Sequence, residues 1–172
     1  MSMSRRSATV IVTIVAGCTF ALYAADERAS SGDADLQFQL ANLLFDETRY
    51  QEALQAFDRA TRTDDQVLAV RARKGKVRTA LRVAEFELAR HEAELLRTQA
   101  STDPEAMTLL GDALWSVGLF DEADRRYSDT LAQTPGSSRA RFGLARSLAT
   151  KSRLDEALRE ALAASAASPR DG

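Results

Sequence analysis

Apolar residues recur every three or four positions through most of the chain, and polar residues fill the intervals. Between Pro104 and Ser137, Met107, Leu110, Gly111, Leu114 and Val117 fall on one helical face, and Ala123, Tyr127 and Leu131 fall on another. Asp124, Arg125, Arg126 and Asp129 lie opposite the second set. This spacing predicts two short amphipathic helices. Gly118 permits a tight turn between them, Asp121 stands where an N-cap is wanted, and Pro135 and Gly136 close the unit. Small side chains at Gly111 and Ala123 let two such helices approach closely.

Three other stretches vary this pattern. In residues 34–67, Leu36, Leu40, Leu43 and Leu44 form the predicted stripe of a first helix, with Ala41 as its small residue. Thr48, Arg49 and Tyr50 form the turn, Ala53, Phe57 and Ala60 the inner face of a second helix, and Asp64-Asp65 stands in place of a closing proline. In residues 68–103, Gly75 is the small position, and Phe86, Ala89, Ala93 and Leu96 are predicted to face inward. Phe86 follows Gly75 by eleven residues where Phe120 follows Gly111 by nine, which predicts two extra residues at the turn or a longer first helix. In residues 138–171, Leu144, Ala145 and Leu148 are expected inward from the first helix, then Leu154, Ala157, Ala161 and Ala164 from the second, with Pro169 closing. The small positions Ala41, Gly75, Gly111 and Ala145 are 34, 36 and 34 residues apart.

Leu110-Gly111, Ala123, Tyr127 and Pro135 resemble the signature of the tetratricopeptide repeat, a helix-turn-helix unit with a period of about 34 residues. The resemblance implies an all-α fold: an α-solenoid of about four repeats, units 34–67, 68–103, 104–137 and 138–171, after an N-terminal signal or anchor segment. A lone helix pair leaves its apolar stripe in water, so stacked pairs cover one another. After Leu158, Leu162 and a run of alanines no polar capping helix follows. The C-terminal face is therefore expected to stay open, to a partner, to self-association or to further repeats.

Residues 1–25 differ in kind. Arg5 and Arg6 precede an apolar run from Ala8, and Val15-Ala16-Gly17-Cys18 resembles a bacterial lipobox, which implies lipidation at Cys18. Two alternatives stay open. Ala8 to Ala25 is uncharged and just long enough to span a membrane, and a signal peptidase could cut after Ala24. All three place the repeats outside the cytoplasm, exported to the periplasm or cell envelope. Residues 26–33 are polar and predict a linker.

Composition then narrows the function. The chain has 172 residues, 45% hydrophobic and 28% charged, which suits one helical domain. A formal net charge of −2 disfavours nucleic acid as a partner. With one Cys and one His, neither an intrachain disulfide nor a His/Cys metal cluster can form. His91 lies on a charged segment and is expected to be an exposed helix residue. Acid pairs such as Asp121-Glu122 suit helix starts. No catalytic residue, metal or cofactor is expected.

The resemblance implies that first helices line a concave, peptide-binding groove. The residues expected there are Asn42, Phe45, Lys76, Asp112, Trp115, Phe142 and Arg146, with Phe38, Ala72, Thr79 and Thr108 on the same face. Of the side chains with which one subfamily holds chaperone C-terminal carboxylates, only Asn42 matches, so that ligand is rejected. Arg71, Arg73, Lys74, Lys76, Arg78 and Arg82 form a basic helix, either for an acidic segment or anionic lipid, or balanced by Glu85, Glu87, Glu92 and Glu94. The expectation is a non-catalytic, exported, membrane-tethered adaptor that binds a peptide or protein segment in envelope complex assembly. The alternative is the N-terminal repeat region of a larger envelope enzyme or sensor.

Overall fold

The computed structural model of the protein describes residues 31–167. The leader, Cys18 and the closing Pro169 lie outside the described residues. The described residues form eight helices and no strand: α1 Ser31–Asp46, α2 Tyr50–Ala60, α3 Gln66–Arg82, α4 Phe86–Gln99, α5 Pro104–Ser116, α6 Phe120–Gln133, α7 Ser138–Thr150 and α8 Leu154–Ala167. Each helix packs on its chain neighbours, and α1, α3, α5 and α7 also touch in sequence along one row. The second helices make no such row among the described residues, so the first helices form the inner layer. Ser31, Gly32 and Asp33, expected in the linker, belong to α1, where Asp33 sits in the first turn, favoured by the helix dipole.

Every helix pair is joined by the same turn. Arg49 N–H donates to Leu44 O, Glu85 to Ala80, Leu119 to Leu114 and Arg153 to Leu148, at 2.9–3.0 Å. These are Schellman bonds, which require a left-handed residue just past the helix end. Those residues are Thr48 (φ 60°), Ala84 (φ 62°), Gly118 (φ 84°) and Ser152 (φ 61°). Only one of the four is glycine. A Cβ on Gly118 would meet no atom within 4 Å, so the cost of adding one is purely conformational. Gly118→Ala is therefore expected to lower stability by about 1 kcal/mol, and Ala84→Gly to raise it by a similar amount. Urea midpoints of the two variants check both signs.

The turns also correct the repeat register. Thr48, Ala84, Gly118 and Ser152 are 36, 34 and 34 residues apart, so the irregular interval lies between units one and two. The equivalent of Ala41, Gly111 and Ala145 is then Val77, fully buried, and not Gly75. The cause is a set of length changes, which include a connection of five residues between α2 and α3 where the later units have four. α3 has 17 residues where α5 and α7 have 13, and α2 has 11 where α4, α6 and α8 have 14. The first helix is longer, as one of the two expectations had it, but it grows at its N terminus. Asp65 caps it there, accepting from Val67 N (2.9 Å) and Leu68 N (3.1 Å). Gly75 serves a different contact: a Cβ there would sit 2.6 Å from Phe57 Cδ1.

Other expectations shift for local reasons. α6 begins at Phe120, so its N-cap is Leu119, which makes no side-chain cap bond; Asp121 lies in the first turn instead. Ala53, Phe57, Ala60, Ala89, Ala93, Leu96, Ala123 and Tyr127 are buried as expected. Phe86 is not: as the first residue of α4 it points to the inner layer and is partly exposed. Leu36, Leu40 and Leu43 turn outward, 62%, 40% and 57% exposed, because Ala34, Ala41 and Leu44 supply the face that meets the next helices. Leu154, expected inward, is exposed together with Leu158 and Leu162 on α8. Leucine stripes are thus exposed at both ends of the described row.

Candidate functional site

The row of first helices is concave at α3, α5 and α7. A cavity of about 710 Å³ opens there, lined chiefly by Arg78, Leu81 and Arg82 of α3, Asp112 and Trp115 of α5, and Arg139, Phe142 and Arg146 of α7. Phe45 of α1 and Phe86 at the start of α4 complete the wall. α5 makes the floor, and α3 and α7 the sides. Each position follows from the turn register. Phe45 and Trp115 occupy equivalent sites and pack against the first residue of the next helix, Phe45 edge-on to Tyr50 with ring centroids 5.2 Å apart and Trp115 tilted against Phe120 at 5.8 Å. Leu81 and Phe86 occupy the corresponding places in the second unit.

A polar cluster fixes the α7 side. Asp112 accepts from Tyr127 Oη (2.9 Å), from Arg139 Nη2 (2.9 Å) and Nε (3.1 Å), and from Arg146 Nη2 (3.3 Å). Arg146 Nη2 also donates to the Tyr127 oxygen at 3.2 Å, and its guanidinium carbon lies 3.8 Å from the Trp115 ring centroid. Burial, and then the Asp112 carboxylate, pushes the Tyr127 phenol far above its ordinary value, so it remains a neutral donor. With its charge spread over two arginines, Asp112 acts as an orienting anion.

Five of the seven residues expected in the groove, Phe45, Asp112, Trp115, Phe142 and Arg146, line this one cavity. Two do not. Asn42 Nδ2 donates to Phe38 O on its own helix (2.8 Å). Lys76 is buried between α2, α3 and α4, donating to Asp58 Oδ1 (2.6 Å) and Glu92 Oε1 (2.7 Å). Ala72, Thr79 and Thr108 are buried as well. For Lys76 the shift of two in the second unit is the cause: Arg78, not Lys76, is the equivalent of Asp112 and Arg146. The missed residues are Ser116 of α5, Arg139 of α7 and, in the second unit, Arg78, Leu81, Arg82 and Phe86. Aligning the units on Tyr50, Phe86, Phe120 and Leu154, the first residues of the second helices, would have found the four of the second unit.

Most of the basic helix is committed elsewhere. Arg73 pairs with Glu92, Lys74 with Asp103 (2.5 Å) and Glu105 (2.9 Å), and the Arg71 guanidinium carbon lies 4.6 Å from the Phe38 ring centroid. Of the glutamates expected to balance it, only Glu92 does; Glu87 and Glu94 pair with Arg90 on their own helix. Among the described residues no group of three His, Cys, Asp or Glu could hold a metal, and no helix is long and apolar enough to cross a membrane.

The tetratricopeptide repeat model matches residues 21–67, 38–104 and 108–171, most of the chain. The chain belongs to the tetratricopeptide-repeat family. No curated protein matches it in sequence. Among solved structures it is similar to residues 41 to the end of MamA from Desulfovibrio magneticus RS-1, with 19% identity, TM-score 0.65 and coverage of 81% of this chain and 78% of that one. TTC0263, a thermophilic tetratricopeptide protein of Thermus thermophilus, gives 18% identity and TM-score 0.70 over 77% and 73% of the two chains. YrrB, described as a tetratricopeptide protein with an unusual peptide-binding site, gives 21% identity and TM-score 0.62 over 80% and 70%. At these identities the likeness concerns the fold. Tetratricopeptide repeats bind peptide or protein partners, and the repeats here leave a lined concavity along their first helices.

Proposed function

We propose that this tetratricopeptide protein is a non-catalytic adaptor that holds a segment of another protein across α5, tethered to a membrane of the cell envelope through its N-terminal segment. The observation that supports the binding role is the convergence of Phe45, Phe86, Trp115 and Phe142 with four arginines in one open cavity. Aromatic and arginine side chains carry most binding energy at protein interfaces. Phe142 is 61% exposed there, an apolar surface that a bound segment would cover. YrrB, a relative in fold, is described as having a peptide-binding site. Export and tethering rest on sequence alone: Arg5 and Arg6, the apolar run, and Val15 to Cys18.

One experiment in two stages tests this. The full chain and its Cys18→Ser variant are made in a bacterial host and fractionated. A tether through Cys18 predicts loss of the membrane fraction and of incorporated fatty acid in the variant; unchanged behaviour removes lipidation. Envelope extract is then passed over the full chain and over a Phe45→Ala/Trp115→Ala/Phe142→Ala variant of equal helicity. The adaptor reading expects a protein retained by the first and at least about tenfold depleted on the second. Equal retention would contradict the groove assignment.

A further inference from the structure

The groove has an uneven charge distribution, and this bears on what it holds. On the α7 side, Arg139 and Arg146 are neutralised in part by Asp112. On the α3 side the one anion paired with Arg78 among the described residues is Glu105, at 3.7 Å. Arg82 is exposed and has no hydrogen bond or ion pair among the described residues. The cavity lining therefore carries four guanidinium groups against one carboxylate, in a chain whose formal net charge is −2. The positive charge is also local. α1 and α5 contain no lysine or arginine, so no continuous basic track runs along the row. A nucleic-acid backbone needs such a track; a short acidic segment does not.

From this we infer, on the basis of the adaptor reading above, that the groove selects an acidic protein segment. Arg78 and Arg82 receive its carboxylates, and an apolar or aromatic side chain of the segment seats between Trp115 and Phe142. The α7 side supplies a fixed surface, because Asp112 holds Arg146 in place over the Trp115 ring. The α3 side supplies the discrimination. Its guanidinium groups present planar pairs of donors that match a carboxylate. A basic segment would meet repulsion from both sides. Exposed charge pairs contribute modestly to affinity but steer and select partners, so the signature sought is a preference that salt weakens.

The test is selection of a random-peptide display library on the full chain. Binding of synthesised winners is then followed through the fluorescence of Trp115, the sole tryptophan of the chain. Enriched peptides are expected to carry an excess of Asp and Glu beside an aromatic or aliphatic residue. Their affinity should fall with rising salt, and by roughly fivefold to tenfold in an Arg78→Gln/Arg82→Gln variant. Both side chains are at the surface, and circular dichroism checks that the variant keeps its helicity. Neutral analogues of the same peptides should bind wild type and variant alike. Winners with no acidic excess, still lost on Phe142→Ala, would overturn the inference and leave the adaptor reading standing. Winners insensitive to Phe142→Ala, or no enrichment at all, would overturn both. Salt-independent binding of the acidic winners, or stronger binding of a single-stranded oligonucleotide, would also overturn the inference.

Discussion

Tyr127→Ala is expected to lower stability by about 3–5 kcal/mol, the largest effect of any single truncation in the chain. The ring is fully buried where three helices meet. A Cβ on Gly111 of α5 would lie 2.6 Å from Tyr127 Cε1, and one on Gly143 of α7 would lie 2.5 Å from the same atom. Both helices thus approach α6 as closely as they do because the ring occupies the space that their side chains would take. Removing it leaves a cavity bounded by two glycines, which have no side chain to move into it. The truncation also deprives Asp112 and Arg146 of the phenol oxygen. In a linear array each unit is held by its neighbours, so the loss should appear first as melting of α7 and α8. Tyr127→Phe separates the two contributions. It keeps the ring, Asp112 keeps both arginines, and the expected cost falls to about 1 kcal/mol. Urea unfolding followed by circular dichroism, with hydrogen exchange at α7 amides, measures both variants. Equal costs would show that the hydrogen bond, and not the ring, joins the units.

The second large effect lies on the other side of α3. Glu92 is buried and accepts from Lys76 at 2.7 Å while also pairing with Arg73. Glu92→Gln removes the negative charge that lies between two buried or nearly buried cations, and is expected to cost about 3–5 kcal/mol. Lys76→Met should cost clearly less. Without Lys76, Glu92 still has Arg73, and Asp58 still has Arg62 at 2.7 Å. The methionine retains most of the lysine stem's packing. Burial works against the Asp58 carboxylate, but hydrogen bonds from Lys76 and Arg62 outweigh it and hold Asp58 below the usual carboxylate range. A depressed acid stabilises the fold at pH values above its unfolded pKa, and that contribution disappears as pH falls through the folded value. Lys76→Met therefore narrows the stability gap to wild type as the solution is acidified. A gap that widens on acidification would contradict this assignment of Lys76.

These two sites show what sequence reasoning reached and where it stopped. Tyr127, Gly111 and Ala123 were legible because apolar and small residues at helical spacing have few other uses. Phe45, Trp115 and Phe142 were placed on one face by the resemblance to the tetratricopeptide repeat, and they line one cavity. The second unit escaped because Gly75 looked like the repeat's small position, while its function is to admit Phe57. A two-residue error is about half a helical turn, enough to bring Lys76 in place of Arg78 to the groove. The turn residues that would have fixed the register are a threonine, an alanine and a serine at three of four sites. Their left-handed backbone has no sequence signature without glycine. The outward leucines of α1 were misassigned because a leucine stripe ordinarily marks the core, and alanines supply it instead.

The central claim is that a partner segment lies in the cavity between α3 and α7. Site-specific photo-crosslinking in intact cells tests it most directly, with the photoreactive residue placed in the full chain at position 142 in the groove or at position 158, exposed on α8 away from the cavity lining. Phe142 and Leu158 are similarly exposed, at 61% and 60%, so accessibility alone does not separate them. The account predicts a discrete adduct with a second protein from position 142, lost in the Arg78→Gln/Arg82→Gln background, and none of that mass from position 158. Adducts from position 158 alone, or adducts of the protein with itself in place of a partner, would contradict it and move the binding surface to the exposed leucines of α8.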